Sequence, residues 1–371
     1  MQPRSAPELI VVGAGIVGLA HALAAARRGR RVLVIDRDAQ ANGASVRNFG
    51  FVTVTGQERG RVWDLARRSA ATWREVAVAA DIAIEQEGLL MIARRPEAAA
   101  LLNAFRATDT GAACEWLDAD ALARAHPMVT PGCFGALRSH ADLRVESRIA
   151  IPRLAAWLEA AHGVAFLRGA AVTQVASGRV ETGAGSFEAD AIIVCPGDDL
   201  TGLFADRLAG ITRCKLHMMR LAAPGWRLPA AVMSDLGLVR YLGYAALPEA
   251  AALRQRLAGE RAAALANGVH LIVTQSADGT LIVGDSHHYA ATPDPFAPAE
   301  VDALILREFA DVLGPPPPVV ERWTGTYASA DRHSLVDTPL PGVRLVMITS
   351  GTGASTAFAL AEDVIADLWG E

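Results

Sequence analysis

The chain has 371 residues, 51% of them apolar and 20% charged, which supplies two cores' worth of apolar material and excludes disorder. A net charge of −5 argues against a general nucleic-acid binder. Four scattered cysteines, Cys114, Cys133, Cys195 and Cys214, form no CxxC pair, which argues against a disulfide framework or a zinc site, leaves no metal expected, and fits a reducing, cytoplasmic setting.

Residues 9–26 carry no Lys, Arg, Asp or Glu over 18 positions, the length of a membrane span or the core of a signal segment. The glycines inside it point elsewhere. ELIVV reads as a buried parallel strand, GAGIVG as a tight turn, and LAHALAAARRG as a helix closed by Gly29. RRVLVID is a second strand ending at Asp36. Gly13, Gly15 and Gly18 hold GxGxxG spacing around Ala14, Ile16 and Val17, so the whole is a β-α-β dinucleotide-binding unit. The first glycine permits the turn, the second lets backbone approach a pyrophosphate, and the third lets helix pack on strand. The helix N-terminus offers free N–H groups and the positive dipole end to the phosphates. Asp36, 21 residues after Gly15, is placed to accept from an adenosine ribose. Arg37 beside it reads as a solvated strand-end charge and leaves NADP open at this point. No membrane span is expected.

The next stretch, DAQANGASVRNFGFVTVTGQ, resembles FAD enzymes of the glycine-oxidase and D-amino-acid-oxidase (DAO) type, in which the second strand runs on into a loop of the form GAS-x-RN-x-G. Here Gly43, Ala44, Ser45, Arg47, Asn48, Phe49 and Gly50 match it. The resemblance implies FAD, with the small residues lying against pyrophosphate and flavin, and Arg47 and Asn48 as donors. Later segments match the same family. GAAVTQV puts Val172 where the family's valine backbone meets the adenine, and the strand AIIV ends in Cys195-Pro196-Gly197, which closes over the cofactor. VRLVMITSGTGASTAFALAEDVIADLW runs from a strand into a Gly-rich turn and a helix. By that resemblance Gly351, Thr352, Gly353, Ala354, Ser355 and Thr356 are expected to face the pyrimidine edge of the flavin, where a helix N-terminus stabilises negative charge on the reduced ring. The implied fold is α/β: a discontinuous Rossmann-type FAD-binding domain (1–80, 145–210, 330–371) interleaved with an α+β substrate domain (81–144, 211–329) built on a mixed or antiparallel sheet.

In this family a W-x-G-x-R-P stretch carries an arginine that clamps the substrate carboxylate through its planar fork. The matching stretch here is WTGTYA, with Tyr327 at the arginine position. An ordinary α-amino acid is therefore not the expected substrate. GDSHHYA, where the family has a short turn, brings His287, His288 and Tyr289 to a strand end, and CKLHMMR and GLVRYLGY add His217 and Arg240. In a period-2 strand Lys215 and His217 share one face and Arg220 takes the other. With Arg332 these form the expected substrate wall, and His287 and Tyr327 the candidate catalytic groups.

The combination GASVRNFG, CKLHMMR, GDSH-x-Y and RW-x-G-x-Y resembles a narrower clade, the FAD-dependent oxidoreductases associated with aminophosphonate breakdown, and departs from it at His288, where an acid is more usual. The expected function is FAD-dependent oxidation of an amine such as 2-aminoethylphosphonate or its N-methyl form, through an imine, to phosphonoacetaldehyde and ammonia or methylamine. The expected partners are that small amine and O2 or another electron acceptor, with no nucleic acid, no membrane and the oligomeric state open. The alternatives are an FAD-dependent oxidase or dehydrogenase of a small amino acid or 2-hydroxy acid, a non-catalytic FAD-binding protein, and an NAD-dependent dehydrogenase.

Overall fold

A computed structural model describes residues 6–370. Its strands are β1 (Leu9–Val12), β2 (Val32–Asp36), β3 (Phe51–Val52), β4 (Ile84–Ala93), β5 (Glu115–Asp118), β6 (Gly135–Val145), β7 (Ala165–Arg168), β8 (Val172–Ala176), β9 (Arg179–Thr182), β10 (Gly185–Glu188), β11 (Ala191–Val194), β12 (Thr212–Leu221), β13 (Ala231–Ser234), β14 (Ile272–Gln275), β15 (Leu281–Gly284), β16 (His288–Ala290), β17 (Val319–Leu340) and β18 (Val343–Ser350). One large sheet runs β3-β6-β4-β13-β14-β15-β12-β17-β18-β11-β1-β2-β7, with β5 beside β6 and β16 beside β12, and β8, β9 and β10 form a separate small sheet.

At one end β18, β11, β1, β2 and β7 are mutually parallel. Their apolar runs, LIVV, VLVI and AIIV, are what a strand covered on both faces requires. Leu9, Val11 and Val34 face the helices Ile16–Arg27, Arg61–Ala79 and Gly353–Trp369, whereas Ile10, Leu33 and Ile35 face the small sheet through Val180 and Ala170. The β-α-β unit forms where the glycine spacing places it, so residues 9–26 are a strand and a helix. Among the described residues no helix is long and apolar enough to cross a membrane.

The rest of the sheet is mostly antiparallel, and its apolar face packs under the helices Pro96–Arg106 and Ala299–Leu313. The two parts meet along β17. Its first half pairs with β12, from Val319 opposite Leu221 to Ser329 opposite Thr212. Its second half pairs with β18, from Ser329 opposite Ser350 to Leu340 opposite Val343.

Two glycines explain how the first helix sits. Gly13 has φ +106, and a Cβ there would stand 2.5 Å from the Cys195 carbonyl oxygen. A Cβ on Gly18 would stand 1.8 Å from the Gly13 carbonyl oxygen, so only hydrogen lets the helix lie this close to the turn. Gly18→Ala should therefore lower stability by about 2 kcal/mol or more, because backbone must move to admit the methyl. A thermal melt of the flavin-loaded protein with an unshifted midpoint contradicts this packing.

Candidate active site

A cavity of about 530 Å³ begins at the first helix, runs along the middle of β17, and ends in a group of polar side chains, of which His270, Asp285 and His287 are buried. Gly15, Ile16, Val17 and Gly18 line its first end, with Ala44, Ser45, Arg47, Asn48 and Phe49 of the following loop. A Cβ on Gly15 would meet only the Ser45 hydroxyl, at 3.0 Å, so backbone lies open to whatever fills the cavity. Asn48 organises the loop: its amide donates to the Ala44 carbonyl (2.7 Å), and its Oδ1 accepts from Gly50 N–H (2.7 Å) and the Ser147 hydroxyl (2.8 Å). The Trp323 indole donates to the Arg47 carbonyl (3.1 Å), tying the loop to β17. Gly50 itself lies outside the lining; a Cβ there would stand 1.7 Å from the Val145 carbonyl oxygen, so packing demands this glycine.

The second helix N-terminus enters the same cavity. Gly351, Thr352, Gly353, Ala354 and Ser355 line it, and the Ser355 hydroxyl accepts from Thr53 N–H (2.8 Å). Thr356 lies behind them, buried, its hydroxyl 3.1 Å from His333 Nε2, and His333 also reaches the Thr352 hydroxyl at 3.1 Å. Cys195 and Gly197 line the cavity but Pro196 does not. Gly13 and Ala14 stand behind the turn; Ala14 N–H donates to Asp36 Oδ2 at 2.5 Å, and Asp38 N–H donates to Oδ1 at 2.8 Å. Arg37 is exposed and paired with Asp199 (3.2 Å) and Asp38 (3.8 Å), as a solvated strand-end charge should be. Val172 is half-buried on the small sheet, and the structure does not bring its side chain to the cavity.

At the far end stand Arg240, Tyr241, His270, Asp285, His287, Tyr289 and Tyr327. Backbone pairing brings residues 267–270 against 285–287: His270 N–H to the Asp285 carbonyl (3.2 Å), Asp285 N–H to the His270 carbonyl (3.0 Å), and His287 N–H to the Asn267 carbonyl (3.0 Å). The His270 and His287 rings stack at 5.0 Å, with the Asp285 carboxylate beside both. His287 Nδ1 lies 2.9 Å from the Gly268 carbonyl, which can only accept, so Nδ1 carries the hydrogen and Nε2 keeps a free lone pair. Burial first, then the Arg240 charge, hold both imidazoles well below their ordinary value, so they are neutral. Burial pushes Asp285 up to about 8, against the pull of Arg240. Arg240 donates to the Tyr289 hydroxyl at 2.6 Å. Burial keeps the Tyr327 hydroxyl, next to the Cys214 thiol, well above the ordinary phenol value.

Arg332 lines the cavity as an exposed cation. His217 and His288, expected at the substrate, are not brought to it. β12 alternates as the period-2 reading required, but it is Leu216 that lines the cavity while His217 points to the opposite face, 3.3 Å from Asp302. His288 is on that side too, its ring 5.7 Å from that of His217. His270 carried no sequence signal, being one histidine at the start of an apolar strand, and Asp285 was legible only as part of a polar turn.

The chain matches the family described as FAD dependent oxidoreductase (DAO) over residues 8–368. It belongs to that family. The protein is an FAD-dependent oxidoreductase, and two helix N-termini, the open Gly15 backbone and the loop at 44–49 are a donor set that fits FAD. The fold is that of glycine oxidase from Bacillus cereus ATCC 14579, with a TM-score of 0.78 at 16% identity over 98% of this chain and 95% of that one. L-proline dehydrogenase from P. horikoshii gives 0.78 at 17% identity over 98% and 93%, and iminodiacetate oxidase from Chelativorans sp. BNC1 gives 0.74 at 17% over 98% and 95%. No curated protein sequence matches the chain.

His333 sits at the N-terminus of the helix Gly353–Trp369, and burial pushes it down to about 4. Below its ordinary value of 6.5 the unfolded chain takes a proton that the folded chain refuses, so stability falls as pH drops from there toward about 4. The loss should be about 1.4 kcal/mol per pH unit, hence about 2 kcal/mol by about pH 5. Urea unfolding of the flavin-loaded protein and of His333→Asn at about pH 7 and about pH 5 should show the variant losing less on acidification; equal losses contradict the assignment.

Proposed function

We propose that this enzyme oxidises a small amine carrying a strong anion, 2-aminoethylphosphonate or its N-methyl form, with O2 as the acceptor. The observation that carries the reading is the polar wall at the far end of the cavity, where the Tyr327 ring packs on the Gly351 turn that opens the second helix. Tyr327 stands where the resemblance puts a carboxylate-clamping arginine, and the cationic fork is Arg240, bonded to Tyr289 and level with two neutral imidazoles. A phosphonate dianion has three oxygens and more charge than a carboxylate, and a cation with several hydroxyl and imidazole groups suits it.

FAD, which the two helix N-termini and the loop at 44–49 would hold, would supply the acceptor for a hydride from the carbon beside the nitrogen and pass the electrons on to O2 as hydrogen peroxide. The chain's own residues do the rest. Arg240, with Tyr289, Tyr327 and the exposed Arg332, holds the anion and so orients the carbon. The ammonium form of the substrate has no lone pair to assist hydride departure and must first lose a proton. His287 Nε2, with its tautomer set by Gly268, receives it only in passing to solvent, since burial keeps the imidazolium from accumulating, and Tyr327 orients the amine. Water adds to the imine and yields phosphonoacetaldehyde with ammonia or methylamine. In this reading residues 1–80, 145–210 and 330–371 serve the cofactor and 81–144 and 211–329 the substrate.

A second reading, oxidation of a small amino acid or 2-hydroxy acid by O2 or through a dehydrogenase's carrier, is favoured by the same Arg240 fork, which also suits a carboxylate. It draws support from similar structures titled glycine oxidase and L-proline dehydrogenase.

Anaerobic mixing separates the two. The absorbance of oxidised flavin near about 450 nm should bleach with 2-aminoethylphosphonate or its N-methyl form and not with glycine or sarcosine. The reverse pattern overturns the first reading. His287→Ala should slow bleaching about 100-fold or more while the anion still binds, and Arg240→Met should weaken binding of the anion instead. Normal bleaching by His287→Ala removes His287 from the proton step.

A further inference from the structure

We propose that His270, Asp285 and His287 form a binding site for one divalent transition-metal ion of the Zn2+ or Fe2+ kind, with open positions toward the cavity. Each residue offers one ligand atom, and these atoms lie within 4.8 Å of one another. All three residues are buried, His270 to 3%, Asp285 to 4% and His287 to 8% exposure, so solvent does not satisfy them.

The hydrogen bonds they do not make are the decisive feature. Neither nitrogen of His270 has a partner, nor does Asp285 Oδ1. His270 Nδ1 and Asp285 Oδ1 stand 3.1 Å apart, yet they do not hydrogen-bond. A nitrogen and an oxygen so close and unbonded to each other leave both atoms available to a shared third partner. Two ligands about 2.1 Å from one ion, at angles between octahedral and tetrahedral, are about 3.0 to 3.4 Å apart, so this pair already forms one edge of a coordination shell. His287 Nε2 lies 3.8 Å from Asp285 Oδ2, and a shift of about 1 Å brings it onto the shell. Its Nδ1–H is held by the Gly268 carbonyl, the kind of outer bond that fixes a metal-binding imidazole in its tautomer. The backbone pairing between 267–270 and 285–287 holds all three side chains on one rigid element.

The donor set selects the ion. Two imidazoles and one carboxylate suit Zn2+, Co2+ or Fe2+ and are poor for Mg2+ or Ca2+, which require oxygen. The Arg240 charge, which already bears on both imidazoles, opposes a cation here, and its guanidinium is turned to the Tyr289 hydroxyl. Coordination occupies His287 Nε2, the atom assigned above to take the amine proton. Binding of the ion and oxidation of the amine therefore exclude each other, and this last consequence alone rests on the proposed function.

The test uses the flavin-loaded protein, stripped with a chelator and dialysed. Equilibrium dialysis against Zn2+ and against Mg2+ measures metal per flavin. One Zn2+ per chain and no Mg2+ are expected, with affinity falling about 10-fold or more in His270→Ala and in Asp285→Asn, whose flavin content confirms folding. Absence of stoichiometric zinc, or zinc undiminished in both folded variants, overturns the site. Should neither variant retain flavin, X-ray absorption at the zinc edge of the unmodified protein decides: a shell with two imidazoles upholds the site, and one with none overturns it. Zinc that binds as expected but leaves amine bleaching unchanged keeps the cation site and refutes the proton role of His287. The two ideas thus fail separately.

Discussion

One strand makes the rest of this molecule necessary. β17 is 22 residues long, and its two halves pair with different neighbours on its opposite edges: β12 first, then β18, with Ser329 paired to both. A strand that must satisfy both ladders locks a parallel, doubly covered sheet to an antiparallel one. The cavity lies along the point where the pairing changes hands, so its wall is made of the residues around Tyr327 and its floor of the helix N-terminus that follows β18. Because β17 carries Trp323, which grips the loop at Arg47, the same strand also sets where the flavin-side loop can lie.

Two helix N-termini converge on that cavity, and they act by the same physics in different places. Each presents unpaired N–H groups and a positive dipole end. The first is brought close by two glycines that leave no room for a side chain, and it offers this field to phosphate. The second is braced by Ser355 on Thr53 and by Thr356 and Thr352 on His333, which keeps a neutral imidazole beside that terminus.

The opposite end of the cavity carries a different electrostatic character. Arg240 is cationic, the two imidazoles are kept neutral, and Asp285 is poised between forms by burial and by Arg240. Buried groups with unmade hydrogen bonds cost stability, of the order of 1–3 kcal/mol each. Both nitrogens of His270 and Asp285 Oδ1 are such groups at the far end of the cavity, where a substrate or an ion could complete them.

Local order alone determined much of this protein. The glycine spacing, the apolar strands around it and Asp36 specify a β-α-β unit, because a turn, a close approach and a helix start each demand particular residues in a short stretch. The GASVRNFG loop and the turn at 351–353 were legible for the same reason, as were His287 and Tyr289 near one strand end and Tyr327 in the WTGTYA stretch. Tertiary structure alone decided which polar residues share a space. His217 satisfied every local expectation, yet strand alternation in β12 turned it toward Asp302 and left Leu216 facing the cavity. His270 had no local signal at all. It reaches Asp285 and His287 only through backbone pairing between segments about 17 residues apart, and sequence spacing cannot report a contact that a sheet register creates.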